Sequence, residues 1–161
     1  MKAEVAARAA ELLGRCKAAA LGTLHDGAPA VSMVPYAIVH EPLTLVVLVS
    51  TLAAHTRDLL ADPRVGLMIM EPEGATAGTH ALARVSIQGE ARPLPPGSPR
   101  YDVARAAYVA RFPDMAMLFD LGDFALVAIE PVAVRAVTGF AQAQSLSPGT
   151  LAAAAIGPRS V

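Results

Sequence analysis

The sequence predicts a mainly β fold, an antiparallel β-barrel with α-helical insertions and six or more strands. Three observations support this. Apolar or alternating segments of strand length recur along the chain, turn signals separate them, and the few helical segments do not alternate regularly with the strands as they do in βαβ units. A length of 161 residues suits a single core. We expect one domain over residues 1–141 and a loosely ordered tail over residues 142–161.

The first part of the chain predicts one helix and three strands. Residues 2–15 place Val5, Ala9 and Leu12 on one stripe, as in an amphipathic helix. A hairpin signal, Asp26-Gly27, separates the first two strands, and the unbroken Leu and Val content of the third indicates burial on both faces. These strands are predicted over residues 18–25, 29–39 and 43–49.

The second part predicts a short helix, further strands and a helical insertion. Asp62-Pro63 ends the short helix, Ser98 is the expected N-cap of the insertion, and Glu130-Pro131 marks a bend in the last strand. The helices are predicted over residues 54–61, 98–112 and 115–121. The strands are predicted over residues 64–70, 82–94 and 124–137, the second of which alternates apolar and polar residues.

Composition indicates the kinds of partner. Hydrophobic residues make up 54% and charged residues 17% of the chain, so we expect apolar surface to be buried in a homodimer. A net charge of −1 gives no basic field, and nucleic-acid binding is not expected. The apolar run over residues 42–54 is too short to cross a bilayer, and the charges of the first helix do not fit a signal peptide. We therefore expect a cytoplasmic protein without membrane contact.

The junction after the third strand is a predicted anion site. Ser50 and Thr51 end the strand, and the unpaired backbone N–H groups of the next helix favour phosphate. The opening turns of that helix also contain polar side chains, His55, Thr56 and Arg57. Other interpretations stay open: the two hydroxyls could cap the helix, His55 could face solvent, and Arg57 could be solvated or paired with Asp58 or Asp62.

Other site chemistries find little support. Cys16 is the only cysteine, and the four histidines lack metal-ligand spacing, so neither a disulfide nor a metal site is expected. The sequence has no Gly-x-Ser-x-Gly elbow and no dinucleotide fingerprint. No catalytic residue is assigned.

Four segments in order carry a resemblance to a known family. They are Ala20-Leu-Gly-Thr-Leu24, Pro29-Ala-Val-Ser-Met-Val-Pro-Tyr36, residues 50–63, and Arg84-Val-Ser-Ile-Gln-Gly-Glu90. In this order they resemble the pyridoxamine 5'-phosphate oxidase-like family of FMN-binding split β-barrels, nearest the haem-utilisation (HugZ-like) branch.

The resemblance implies a cofactor site. It places the isoalloxazine ring of FMN against the second strand, at Val31, Ser32, Met33 and Val34. It assigns the phosphate to Ser50, Thr51, His55, Thr56 and Arg57. It also puts the side chain of Arg84 near the ring or the ribityl chain, although this residue could equally belong to a solvated stripe with Ser86 and Gln88.

The resemblance also implies a function. We expect a homodimeric FMN-binding flavoprotein, a flavin-dependent oxidoreductase whose small-molecule substrate the sequence does not identify. One alternative is a haem-degrading or haem-utilisation protein. Another is a flavin- or haem-binding carrier or sensor without turnover.

Overall fold

The structure, a computed structural model, describes residues 1–74 and 78–157. It contains one sheet of eight strands and four α-helices within these residues. The strands are β1 (Ala18–His25), β2 (Ala28–Pro35), β3 (Ala37–His40), β4 (Leu43–Ser50), β5 (Arg64–Met70), β6 (Arg84–Pro93), β7 (Phe124–Val137) and β8 (Ala143–Leu146). The helices are α1 (Lys2–Arg15), α2 (Ala54–Ala61), α3 (Tyr101–Arg111) and α4 (Pro148–Ile156), with 3₁₀ helices at Thr79–Ala81 and Pro113–Asp120.

The sheet forms a barrel that is not closed. Its strands are ordered β2-β1-β5-β6-β7-β4-β3, all neighbours are antiparallel, and β8 pairs with β7 beside this path. The two ends of the path, β2 and β3, do not pair with each other among the residues described. The predicted antiparallel barrel with helical insertions is therefore confirmed, and its split lies beside β2.

The predicted second strand over residues 29–39 is wrong as a single element. It divides at Tyr36 into β2 and β3, which lie at opposite ends of the sheet path. The Tyr36 amide donates to the Lys17 carbonyl at 3.0 Å, and its buried hydroxyl donates to the Leu13 carbonyl at 2.7 Å. These bonds hold Tyr36, where β2 ends and β3 begins, against the end of α1. The local pattern of apolar residues could not reveal this division.

Burial on both faces of β4 is confirmed and has a simple cause. One face, with Leu45 and Val47, lies in the barrel core together with α1, and the other face, with Val46 and Leu48, lies in a second core under α3. Because each face meets its own apolar layer, both sets of side chains leave water. This strand is thus fixed on both sides, and α2 follows directly from its end.

The predicted alternation of β6 and the predicted bend of the last strand are confirmed, whereas the predicted N-cap of the helical insertion is wrong. Alternation along β6 is observed, and the pairing of β6 with β7 shifts between Gln88 and Gly89, opposite the predicted bend. The predicted N-cap at Ser98 is wrong: α3 has Arg100 at its N-cap position, without a side-chain bond. The Tyr101 amide donates to the Ser98 carbonyl, so Ser98 lies in a turn before the helix.

The expected loose tail differs from the structure. Within residues 142–157, β8 pairs with β7 and α4 contacts α1. Ser147 caps α4 by accepting from the Thr150 amide at 3.0 Å, and Leu151 is fully buried in the barrel core. Burial of that side chain orders the segment, because it completes the apolar layer around α1. Residues 158–161 of the expected tail lie outside the described residues.

Candidate functional site

The turn between β4 and α2 is fixed by hydrogen bonds of its own. The Thr51 amide and hydroxyl donate to the Asp123 carbonyl at 2.7 and 3.1 Å, and Ser50 Oγ accepts from the Leu52 amide at 3.2 Å. Neither hydroxyl caps the helix, so the capping interpretation of Ser50 and Thr51 is wrong. These bonds fix the turn that orients α2, and both residues lie just before the helix begins.

The first turn of α2 has no side-chain cap. Its N-cap residue is Ala53, whose carbonyl accepts from the Arg57 amide at 3.3 Å. The amides of Ala54, His55 and Thr56 precede that bond and have no acceptor within the helix. These three N–H groups, which lack a partner among the described residues, and the positive end of the helix dipole together favour an anion at this point.

The side chains of the first turns surround that helix start. Arg57 is exposed and donates from Nη1 to the Leu52 carbonyl at 3.0 Å, which leaves the rest of its guanidinium available. The predicted alternative pairing with Asp58 or Asp62 is not observed. Asp62 pairs with Arg64 at 2.6 Å and has a pKa lowered to about 2 by that arginine, whereas Asp58 bonds to His25.

His55 and Thr56 face inward to different degrees. His55 is half-buried, and this burial lowers its pKa, an effect that the nearby Asp58 carboxylate partly opposes. Thr56 is 1% exposed, and its Oγ1 has no hydrogen-bond partner within the described residues. A buried hydroxyl without a partner is costly, so this atom is a candidate donor to a bound group.

The β2 strand presents a free edge. It pairs with β1 along its whole length and with no other strand of the described chain, and it contacts α2. Val31 is 78% and Met33 63% exposed, Val34 is buried, and Ser32 has a buried Oγ without a partner in the part of the chain described. The unpaired backbone groups of this edge can hydrogen-bond a planar polar ring whatever the side chains are.

Arg84 lies away from these groups within one protomer. It begins β6, pairs with Met70 and Val137, and donates from Nη1 to the Leu82 carbonyl at 3.0 Å. After α2 the chain continues into β5 at Arg64, which pairs with Glu90 near the other end of β6. Along that strand, Glu90 is about 20 Å from Arg84. The structure therefore brings α2 and β2 into contact but does not bring Arg84 to α2.

A hydrogen-bond network that sequence reasoning missed joins α2 to β1. Asp58 Oδ2 accepts from Thr23 Oγ1 at 3.0 Å, and Asp58 Oδ1 accepts from His25 Nδ1 at 2.6 Å. The bond to Asp58 raises the pKa of His25, and the same bond is the main cause that lowers the pKa of Asp58. An aspartate on the buried face of a short helix was the available signal, but His25 is 33 residues away in sequence.

The outer face of the sheet contains a groove of about 730 Å³ that includes Val31. Its floor consists of small residues, Ala20, Gly22 and Gly66, which meet on adjacent strands and leave space above the sheet. Its far side carries polar side chains, Ser86, Gln88 and Arg135, and its described lining contains no carboxylate. The side chain of Arg135 has no hydrogen bond or ion pair with any described residue, so its charge is free for a ligand or a partner.

Two features are absent from the described residues. None of the described helices is both long and apolar enough to cross a membrane. The same residues contain no group of three or more His, Cys, Asp or Glu side chains placed to hold a metal ion.

Comparison with known proteins relates this geometry to a family. The sequence is 37% identical over 120 residues to the chloroplastic non-canonical heme oxygenase HOZ of Arabidopsis thaliana, a match that covers 74% of this chain and 35% of the plant protein. The fold is similar to a heme binding protein from Mycobacterium smegmatis, with a TM-score of 0.81, 28% identity, and coverage of 95% of this chain and 60% of the other.

A third similar protein is HutZ, the heme storage protein of Vibrio cholerae, with a TM-score of 0.65 and 28% identity over 75% of this chain and 85% of that one. The chain thus spans about a third of the plant protein and 60% of the mycobacterial one. The family described as pyridoxamine 5'-phosphate oxidase matches residues 5–138, which include every strand from β1 to β7. Because this match covers most of the chain and coincides with the split barrel, the chain belongs to the pyridoxamine 5'-phosphate oxidase family.

Proposed function

We propose that the protein is a homodimeric flavoprotein that binds FMN non-covalently and uses it as an oxidoreductase on a small molecule. One observation carries the proposal: α2, whose start has no side-chain cap, contacts β2, a strand with a free edge. The first offers donors to a phosphate and the second offers backbone groups to a flat heterocycle. FMN has both parts in one molecule.

The helix start would bind the phosphate. The free amides of Ala54, His55 and Thr56 point out of the first turn, and the guanidinium of Arg57 has unused donors that fit phosphate oxygens. Thr56 Oγ1 supplies a further donor that lacks a partner in the described residues. Ser50 and Thr51 act indirectly, because their bonds fix the turn that orients the helix.

The edge of β2 would bind the ring. Among Val31, Ser32, Met33 and Val34, alternate residues direct their backbone N–H and C=O groups away from β1, and these groups can pair with the polar edge of an isoalloxazine. Ser32 adds a buried hydroxyl. Bound FMN supplies the capacity to take up and release electrons. The protein holds the ring at the edge of the groove, where a substrate can approach past Val31. No side chain is assigned to proton transfer.

A dimer would complete the site. Four large apolar side chains, Val31, Met33, Met68 and Met70, are exposed on the outer face of β2 and β5. Such a patch is typical of a protein interface. Arg84 lies far from α2 in its own protomer, so it can serve a flavin only if that flavin is held by the partner subunit.

A second candidate is haem binding, with or without haem degradation. It is favoured by the names of similar proteins, a heme oxygenase, a heme binding protein and a heme storage protein. The groove offers an apolar floor for a flat macrocycle and the unpaired Arg135 for a carboxylate. A carrier or sensor that binds flavin or haem without turnover would use the same surfaces.

The cytoplasmic location stays a prediction.

Ligand binding separates these candidates. We expect FMN to raise the midpoint of thermal unfolding more than riboflavin does, because only FMN has the phosphate. Reduction of the bound flavin by NADH or NADPH, followed by reoxidation with candidate acceptors, distinguishes an oxidoreductase from a carrier. A spectroscopic haem titration of the same preparation tests the second candidate. Equal stabilisation by riboflavin and FMN would contradict the phosphate site.

A further inference from the structure

The network of Thr23, His25 and Asp58 is the principal polar link between α2 and the β1–β2 hairpin. Asp58 is 6% exposed, and its two carboxylate oxygens are divided between the Thr23 hydroxyl at 3.0 Å and His25 Nδ1 at 2.6 Å. His25 ends β1 next to the hairpin turn and keeps more than half of its side chain exposed. The link therefore joins a buried carboxylate to a histidine that solvent can titrate.

This carboxylate lies close to the anion site on the same helix. Asp58 comes four residues after Ala54, about 6 Å along the helix axis. A negative charge at that distance opposes an anion at the helix start, and a cationic His25 offsets it. The other charged or titratable groups near the network are Arg57, His55 and Asp26, the last at 3.7 Å from His25 Nε2.

We propose that Thr23, His25 and Asp58 position α2 for the FMN phosphate, and that protonation of His25 tunes how tightly this phosphate is held. The proposal rests on the proposed function, since it concerns the same helix start. His25 and Asp58 are positioning residues in it: they act through α2 and do not touch the cofactor.

The two protonation states of His25 differ in the charge that the phosphate meets. With His25 protonated, Asp58 is balanced by a cation at 2.6 Å. With His25 neutral, its Nδ1–H can still bond to Asp58, so the helix stays in place, but the carboxylate charge is no longer compensated. Phosphate binding then weakens. By linkage, bound FMN must in turn favour the protonated histidine.

The test measures Kd for FMN and for riboflavin from about pH 6.5 to pH 9, a range in which histidine titrates and the phosphate is mostly doubly ionised. We expect the preference for FMN over riboflavin to fall about three- to tenfold as His25 loses its proton. Riboflavin serves as the internal control, because changes in the ring or the fold affect both ligands. An NMR titration of His25 should give a higher pKa with FMN than with riboflavin.

Three variants separate this role from a purely structural one. His25→Gln should remove the pH dependence of the preference. Asp58→Asn keeps the shape of the side chain: its oxygen can accept from His25, and the Thr23 hydroxyl can turn to accept from its amide group. It removes the charge that holds the proton on His25, so the midpoint of the preference should move to lower pH. His40→Gln, at an exposed histidine of β3, should leave the profile unchanged.

The outcomes are distinct. A preference for FMN that stays constant through the titration of His25 would overturn this inference and leave the proposed function intact. So would an unshifted midpoint in a folded Asp58→Asn protein. Equal affinity for FMN and riboflavin at every pH would overturn both proposals, because no phosphate site would then exist for the network to tune.

Discussion

Single residues at the start of α2 decide whether an anion binds there. Arg57 donates to the Leu52 carbonyl with one nitrogen and leaves the other donors of its guanidinium unused, whereas Arg64 is paired with Asp62. Sequence reasoning named Arg57 but could not assign its partner. The pairing of Arg64 with Asp62 depends on how the Asp62-Pro63 turn directs the chain out of the helix.

We expect Arg57→Ala to weaken FMN binding by about 1.5 to 3 kcal/mol, the range for a hydrogen bond to a charged group. Riboflavin affinity should hardly change. Isothermal titration with both ligands measures the difference. Arg64→Ala is the matched control, since it removes another exposed arginine nearby that already pairs with Asp62. Unchanged FMN affinity in Arg57→Ala would assign the phosphate to other residues.

His25 should give the protein a pH-dependent stability. Its pKa is raised in the fold by Asp58, so its contribution is complete below the unfolded value near 6.5 and is lost as pH rises through the higher folded value. Asp58 has a lowered pKa, so its contribution is present above about 3.8 and is lost in acid.

The stability difference between the wild type and His25→Gln should therefore be largest between about pH 4 and 6.5 and should shrink above neutrality. Urea unfolding across this range measures it. His40→Gln, at the exposed end of β3, should show no such pH-dependent difference. A difference that grows toward pH 9 would contradict the assigned ion pair.

At the scale of elements, the C-terminal segment is the main departure from expectation. Residues 142–157 lack charged side chains and are rich in alanine, a composition that does not by itself hold a helix in place. The structure supplies that reason through Ser147, which caps α4, and Leu151, which enters the core beside α1. The helix is therefore part of the folded unit.

We expect Leu151→Ala to lower the free energy of unfolding by about 2 to 5 kcal/mol, as for other fully buried leucines. Denaturant unfolding followed by circular dichroism measures the loss. Ile156→Ala, at a partly exposed position of the same helix, should cost clearly less. Equally small losses of stability at both positions would support a loosely ordered tail instead.

At the scale of the whole molecule, hydrophobic residues lie both in buried cores and on an exposed face. One part of these residues fills two separate cores on the opposite faces of β4 and β7. Another part lies on the outer face of the sheet, where Val31, Met33 and Met68 are exposed beside a floor of small residues. That face is the surface on which we expect the second subunit.

We expect a dimer whose dissociation releases flavin. Sedimentation over a dilution series, with flavin fluorescence followed in parallel, tests this. Met68→Glu should raise the dimer dissociation constant, because it places a charge in the apolar face. Val103→Glu, at an exposed position of α3 on the other side of β4, is the matched control. A stable monomer with one FMN per chain would contradict the model of a shared site.

The sequence by itself determined the parts of this protein that depend on local pattern. The period of apolar residues predicted α1, β1, α2 and β5 at their observed bounds, and the alternation along β6 identified its buried face. The break after Ser50 located the helix start that carries the proposed phosphate site. These signals are local because a turn, a strand face and a helix stripe are each set within a few residues.

Only the tertiary structure decided what depends on distant contacts. It divided residues 29–39 at Tyr36, because the end of α1 holds that side chain, and it ordered α4 by burying Leu151. It also joined His25 to Asp58 and placed Arg84 away from α2. No local pattern encodes these relations, since each one arises from strand order and packing between segments that are far apart in the chain.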